Sequence, residues 1–389
     1  MEARVMIVAL TGDLHLTDRS NEHRMTLAEQ VEVLVWLGRD AASMGATILL
    51  CGGDIFDLES SPGERNAAIT VMAEWSSMFP VISVKGNHEC PGDLSYLSKL
   101  RTIHPILVFE HPGIVKEVEG LLVACLPWPQ KAWLAARMPG ASKLELGDAA
   151  AQAMRIILSF FSVEFQKTNK PCILLAHAEL GTAISDLGQP LSGRCDLDLG
   201  ESDLLGVGAD LVALSHIHMP QTLGNGSIRF SGSPYQTSFG EKSGHGYSLV
   251  TVERGRPPII EHRPVPSRQL ITVHGEWADD PSAIAWDRQA MDIPKGASVR
   301  LQYDVGESNR TKASEDAEAT RQMCLNAGAR SVKLDPRITA TTRVRSEKIR
   351  TAKTTAEKIE ALWEARGERP ERSRQILDKL TVLEQEVPL

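Results

Sequence analysis

No two of the six cysteines (Cys51, Cys90, Cys125, Cys172, Cys195 and Cys324) form a Cys-x-x-Cys pair. That spacing suits neither a zinc knuckle nor a disulfide framework, and it points to a reducing, cytoplasmic setting. A long apolar run is missing too. Val5 to Leu10 near the N-terminus is too short for a signal peptide, and no stretch of about 18 apolar residues offers itself as a membrane span. Excess positive charge is also absent. The formal net charge of −8 counts against holding nucleic acid by bulk electrostatics, because non-specific binding is driven by Lys and Arg displacing counterions. It leaves room for a local basic stripe, and for carboxylates whose charge divalent cations offset. No internal repeat is visible. What remains is an ordinary globular composition, 42% apolar and 24% charged over 389 residues, enough for two or three domains.

Strands and helices alternate in the first hundred residues, the pattern of a layered α/β domain. Val5 to Leu10 reads as a buried strand that ends in Thr11-Gly12-Asp13-Leu14-His15, so Asp13 and His15 emerge together at its edge. Thr26 to Ser43 carries Leu27, Val31, Leu34, Val35 and Ala42 at helical spacing, a crossover helix. The next strand, Thr47 to Leu50, ends in Cys51-Gly52-Gly53-Asp54-Ile55-Phe56-Asp57, where the glycine pair permits a tight turn. Ala67 to Phe79 reads as a helix and Val81 to Val84 as a strand that runs into Lys85-Gly86-Asn87-His88-Glu89. Further strands are expected at Ile106 to Phe109, Leu121 to Cys125, Cys172 to Ala176, Leu211 to Leu214, Ile228 to Ser231 and Tyr247 to Val252. Several succeed one another without helices, which implies a second, partly antiparallel sheet and a two-sheet sandwich flanked by helices.

Pro264-Val265-Pro266 discourages regular structure and marks the expected end, at 264, of the first domain. From 265 to 337 the pattern is strand (Leu270 to Val273), strand (Ser298 to Tyr303), helix (Ala313 to Ala327) and strand (Ser331 to Leu334), a small α+β cap. Residues 338–389 begin with a polar, basic linker and then give two amphipathic helices. One carries Ala356, Ile359, Leu362 and Trp363 and ends at Gly367; the other carries Ile376, Leu377, Leu380 and Leu383. From Thr341 to Leu389 eleven Lys and Arg face nine Asp and Glu, a slightly basic tail on an acidic chain, suited to docking on a partner or to packing back on the parent domain.

The polar groups at strand ends are Asp13, His15, Asp54, Asn87, His88, His177, His216 and His218. This oxygen and imidazole set without thiolate suits divalent ions such as Mn2+, Fe2+ or Zn2+. One ion would leave several of the groups unused. Two ions about 3.5 to 4 Å apart would use nearly all, and such pairs activate water and clamp the attacking and leaving oxygens of a phosphoester. A bridge between them needs a carboxylate. Asp54 has the flanking glycines that allow close approach, and Asp13 is its rival.

The order Asp13-x-His15, Gly53-Asp54-x-x-Asp57, Gly86-Asn87-His88-Glu89, His177 and His216-x-His218 resembles the calcineurin-like metallophosphoesterases. The resemblance implies that Asp13, His15 and His218 hold one metal, that Asn87, His177 and His216 hold the other, and that Asp54 bridges. It leaves His88 off the metals, facing substrate as a transition-state or proton-donating group. The whole layout is similar to the SbcD-type DNA repair nucleases: a phosphoesterase domain, a cap and a helical pair that docks on an SbcC-like coiled-coil ABC-type ATPase. The resemblance thus implies a two-metal phosphodiesterase that cuts DNA as exonuclease or endonuclease, with Mn2+ the first choice of metal. The alternative is a stand-alone enzyme for small phosphoesters or cyclic nucleotides. A homodimer through residues 26–43 and 67–79 is a further implication of the resemblance.

Two positions depart from the pattern. Ser215 stands where a glycine usually precedes the His-x-His pair. Asp57 stands where the SbcD-type branch often has a histidine that positions DNA, which counts against efficient exonuclease cutting. Asp57 and His23 are the expected substrate-positioning residues. The other histidines (His104, His111, His245, His262 and His274) read as surface groups, Cys51 and Cys90 as packing residues, and Gly232-Ser233-Pro234-Tyr235 as a structural turn. Trp128 and Trp133 are candidates for base stacking.

Overall fold

The computed structural model describes residues 5–19, 22–129, 138–185, 188–189, 199–241, 244–287, 292–339, 348, 351–367 and 371–386. In chain order the first elements are β1 (Met6–Thr11), α1 (Leu27–Ser43), β2 (Ile48–Cys51), α2 (Pro62–Ser76), β3 (Val81–Val84) and β4 (Ile106–Phe109). They are followed by β5 (Gly113–Val118), β6 (Leu121–Leu126), α3 (Lys143–Gln166), β7 (Cys172–His177), α4 (Glu201–Leu205), β8 (Leu211–Ser215), β9 (Gln221–Leu223), β10 (Ile228–Phe230), β11 (Gly246–Val252) and β12 (Ile259–Pro264).

Two six-stranded sheets result. One has the order β12-β11-β1-β2-β3-β4 and the other β5-β6-β7-β8-β10-β9. Strands β1 to β4 are parallel, and β11 joins β1 antiparallel, Val8 opposite Val250. In the second sheet β6, β7, β8 and β10 are parallel, with β5 and β9 antiparallel at its edges. Because strand side chains alternate between faces, each sheet presents two apolar surfaces. Val8, Leu10, Ile48, Leu50, Ile82 and Val84 of the first sheet pack with Val123, Ile173, Leu175, Leu211 and Ala213 of the second. The outer face of the first sheet is covered by α1 and α2, through Leu34, Leu37, Val71, Met72 and Trp75. The outer face of the second is covered by α3, through Met154, Leu158, Phe161 and Phe165. The order of layers is therefore helix, sheet, sheet, helix, the expected sandwich.

Helix starts are set by caps. Thr26 with Glu29, Ser61 with Glu64 and Ser142 with Glu145 each form a reciprocal capping box. Ser61, followed by Pro62, starts α2 five residues ahead of the Ala67 expected from apolar spacing, and the helix ends at Ser76 rather than Phe79. Helix α3 was not anticipated. By length and composition it is apolar enough to cross a membrane, yet its buried stripe covers a sheet while Leu144, Ile156, Phe160 and Val163 remain exposed.

A four-stranded sheet comes next, made of β13 (Leu270–Asp279), β14 (Ser282–Trp286), β15 (Ser298–Gly306) and β16 (Ser331–Thr339) in the order β14-β13-β15-β16, with α5 (Arg310–Asn326) between the last two strands in sequence. The tail holds α6 (Thr355–Arg366), closed by Gly367 in the left-handed conformation, and α7 (Ser373–Glu386). By compactness the chain divides into Met1–His274 with Asp287–Leu301 and Thr320–Leu334 as one unit, and Gly275–Trp286 with Gln302–Ala319 and Asp335–Leu389 as the other.

Candidate metal centre

Five strand ends deliver one cluster of polar side chains. Asp13 and His15 follow β1, Asp54 follows β2, Asn87 and His88 follow β3, His177 ends β7, and His216 and His218 follow β8. The loops after β1 and β2 are zipped together by backbone bonds from Asp13 N to Gly53 O and from His15 N to Asp54 O, both 2.9 Å. Asp13, His15, Asp54 and His177 are buried.

Positive φ angles concentrate here. Six non-glycine residues among those described have φ above zero, and four of them are Asp13 (51°), His15 (44°), Asp54 (50°) and His216 (105°). Left-handed backbone at such residues costs about 1–3 kcal/mol each and persists where the surroundings over-determine it. Close packing of the loops is part of that determination. A Cβ on Gly86 would lie 2.0 Å from Asp54 Oδ1, and Cβ atoms on Gly12 and Gly52 would lie 2.1 and 2.0 Å from Ser215 Oγ. Ser215 therefore fits because the two glycines facing it leave the room its hydroxyl takes, and that hydroxyl lies 3.2 Å from Ser231 Oγ.

The donor set fits cations. His177 Nδ1 donates to Gly52 O at 2.7 Å, so in the neutral ring Nε2 carries a lone pair. That lone pair faces two further acceptors, Asn87 Oδ1 at 2.8 Å and Asp54 Oδ2 at 3.3 Å. Turning the Asn87 amide would meet the first, but the Asp54 carboxylate can only accept, so there a proton or a metal ion has to intervene. His216 Nδ1 also lies 2.8 Å from Asn87 Oδ1, and His15 Nε2 lies 2.9 Å from His218 Nε2. Ligand atoms of Asp54, His177 and His216 all lie within 4.8 Å of one another, and so do those of Asp13, His15 and Asp54. Asp54 belongs to both groups.

The same crowding moves the protonation equilibria. Burial pushes Asp13 up to about 6 against the pull of His177 and His218. Burial and then the neighbouring His218 push His15 down to about 3, and burial with His177 brings His216 to about 3. Burial alone would raise Asp54 and lower His177. Their mutual attraction outweighs it in both, holding Asp54 well below the usual carboxylate range and lifting His177 to about 9. Neutral His15 and His216 and ionised Asp54 are the forms that bind metals, whereas His177 would give up its proton to an ion.

His88 is held apart. Its backbone N–H donates to Asp54 Oδ1 at 3.0 Å and its Nδ1 donates to Asp57 O at 2.5 Å. Nε2 then lies 3.9 Å from Asp54 Oδ2, on a side chain about one third exposed. Asp57 faces His15 Nδ1 at 3.6 Å and Arg24 at 3.8 Å. His23 lies outside the cluster, its Nδ1 3.0 Å from Ser331 Oγ.

Several supporting groups were not foreseen. Glu241 Oε1 lies 3.3 Å from His218 Nδ1 and also accepts from Thr237 Oγ1. Burial would raise its carboxyl, but the bond from His218 outweighs that and brings it to about 2. Buried Glu89 accepts from the backbone N–H groups of Gly86, Ile55 and Phe56, tying the second and third loops together. Its position two residues after Asn87 was the available signal; Glu241 had none, because it lies 23 residues from its partner. His245 is a correction, since its side chain is largely covered, 7% exposed, and lies 2.8 Å from Ser233 Oγ. Its neighbour turn is structural, with Tyr235 OH donating to Leu14 O. Cys51 packs as expected, but Cys90 is exposed. Trp128 stacks on His216 at 5.0 Å between centroids, so its ring braces a candidate ligand. Trp133 and Cys195 lie outside the described residues.

The model of the family described as calcineurin-like phosphoesterase matches residues 6–220. Three relatives share one name, that of the SbcD subunit of the SbcCD nuclease. The one from Staphylococcus epidermidis is 25% identical over 285 residues, covering 70% of this chain and 74% of its own length. The one from Rhodobacter capsulatus is 26% identical, covering 68% of this chain and 71% of its own length. The one from Bacillus subtilis is 27% identical, covering 64% of this chain and 66% of its own length.

Proposed function

The chain belongs to the calcineurin-like phosphoesterase family, a metal-dependent hydrolase of phosphoester bonds, and from that premise we propose that it is a DNA nuclease of the SbcD type. The observation that carries the chemical part is the place of Asp54 in two overlapping ligand groups. In this reading Asp13, His15 and His218 hold one divalent ion, Asn87, His177 and His216 hold the other, and Asp54 is shared. The ions, Mn2+ in the first instance, would supply activation of water and neutralisation of phosphate charge. The remaining work falls to residues of the chain. Asp57 O fixes the His88 ring so that Nε2 faces the substrate side, where it stabilises charge or gives a proton to the leaving oxygen. Glu241 and Gly52 O orient two of the ligand rings.

DNA as substrate is supported by the name the three relatives share. The word subunit in that name supports a partner protein; an SbcC-like ABC-type ATPase in that place, α6 and α7 as the docking element, and a first domain of residues 1–264 followed by a cap of 265–337 belong to the same proposal. The helices considered for a homodimer use their apolar faces within the chain: Leu34, Leu37, Val71 and Trp75 belong to one core. Labelled single- and double-stranded DNA, offered with Mn2+ beside bis-p-nitrophenyl phosphate and with His88→Ala as control, tests the reading. Turnover of the small diester with DNA intact at every length would favour the small-phosphoester alternative.

A further inference from the structure

Beside the metal centre lies a cavity of about 260 Å³ whose lining includes Arg24, Arg268, Arg321 and Arg330. On a chain of net charge −8, four arginines around one cavity run against the background. Glu22 is the carboxylate on the same wall. Arg24 also lines a smaller cavity with His15 and Asp57, so one side chain belongs to both spaces, and its Nη1 is 3.8 Å from Asp57 Oδ2.

Two of the arginines, Arg24 and Arg268, are fixed before any ligand arrives. Arg24 Nε donates to Thr237 O at 2.8 Å. Arg268 donates through Nη1 to Arg24 O at 2.8 Å and through Nη2 to Glu29. A guanidinium has five N–H donors, so these bonds orient Arg268 without exhausting it. The backbone N–H of Arg330 donates to Ala297 O at 2.8 Å, and the adjacent Ser331 hydroxyl is 3.0 Å from both Ser298 Oγ and His23 Nδ1. His23 thus helps to hold the wall. Fixed, planar, permanently charged forks are the groups that recognise phosphate oxygens bidentately.

We propose that this cavity binds a non-scissile backbone phosphate of the DNA strand being cut, and that Arg24 couples its occupancy to the metal centre. The inference rests on the nuclease reading and adds to it a second anchoring point, which a small phosphodiester cannot reach. It gives this acidic chain a local, built site for polyanion where bulk charge offers none.

The test uses the full chain with Mn2+. Arg330→Gln and the double variant Arg321→Gln/Arg330→Gln are compared with wild type on a labelled oligodeoxynucleotide and on bis-p-nitrophenyl phosphate, after thermal melts confirm folding. The double variant should raise KM for the oligonucleotide about tenfold or more and shift KM for the small diester far less. It should also flatten the salt dependence of oligonucleotide binding by about one unit of slope per lost phosphate contact. Arg330→Lys, which keeps the charge, should restore most of that slope. Equal losses on both substrates would mean a structural role and overturn the proposal. So would wild-type oligonucleotide kinetics in the double variant. A wild-type chain that hydrolyses the small diester and spares every oligonucleotide overturns the nuclease reading itself, and the anchoring site with it.

Discussion

His177 and His15 belong to one polar centre but are held by different kinds of contact. His177 is clamped by a backbone carbonyl, Gly52 O, in a fully buried loop. His15 has no hydrogen-bond partner for Nδ1 among the described residues, its nearest carboxylate being Asp57 at 3.6 Å. Its companion His218 leans on the side chain of Glu241. One half of the centre is therefore set by the fold and the other by carboxylates on separate segments. A backbone clamp cannot be substituted away, whereas a side-chain clamp can be. The Glu241 half is the tunable one.

Asp54 is common to both halves, so its removal should have the largest effect. Asp54→Ala should abolish activity and lose most bound metal; elemental analysis showing full occupancy would dissolve the bridging assignment. His88→Ala should keep the metal content of wild type while turnover falls by about 10²–10⁴-fold. A matching loss of metal would move His88 into the ligand set. Glu241→Gln bears most directly on the contrast between the halves. It should weaken one of two metal equivalents by about 10–100-fold, seen as a split isotherm in Mn2+ titration, and a uniform weakening of both equivalents would show that the halves are not separate.

The smallest effect should come from outside the centre. Asp40 accepts from Arg263 Nε at 2.8 Å and from Tyr247 OH at 2.7 Å, joining α1 to β11 and β12. Asp40→Asn should lower stability by about 1–3 kcal/mol with both metal equivalents retained. The bond from Arg263 holds the Asp40 carboxyl below its ordinary value. Its contribution is therefore present above the unfolded carboxylate value of about 3.9 and fades as pH falls through the lower folded value. Denaturation curves of wild type and variant should converge only below about pH 4.

The two-sheet sandwich was legible because buried strands such as Leu49-Leu50-Cys51 and Val81 to Val84 are apolar on both faces and end in polar turns. The polar cluster was legible for the same reason, since each member sits at the end of such a strand. Helix α3 escaped although Ser142 and Glu145 announced its cap, and α2 was started late because its first turn is polar. Glu241 and Arg24 escaped because partners such as His218 and Asp57 are distant in sequence, and only the closed fold brings them together. Ser215 looked like a mere departure until Gly12 and Gly52 showed the space reserved for it.

The left-handed backbone at Asp13, His15, Asp54 and His216 has a consequence for any inactive version of this chain. Glycine at one of these positions removes a candidate ligand and relaxes φ in one change. A chain relieved of its chemistry there should melt at a higher temperature without metal than the native sequence does, because folding and reactivity make opposite demands on the same four Cα atoms.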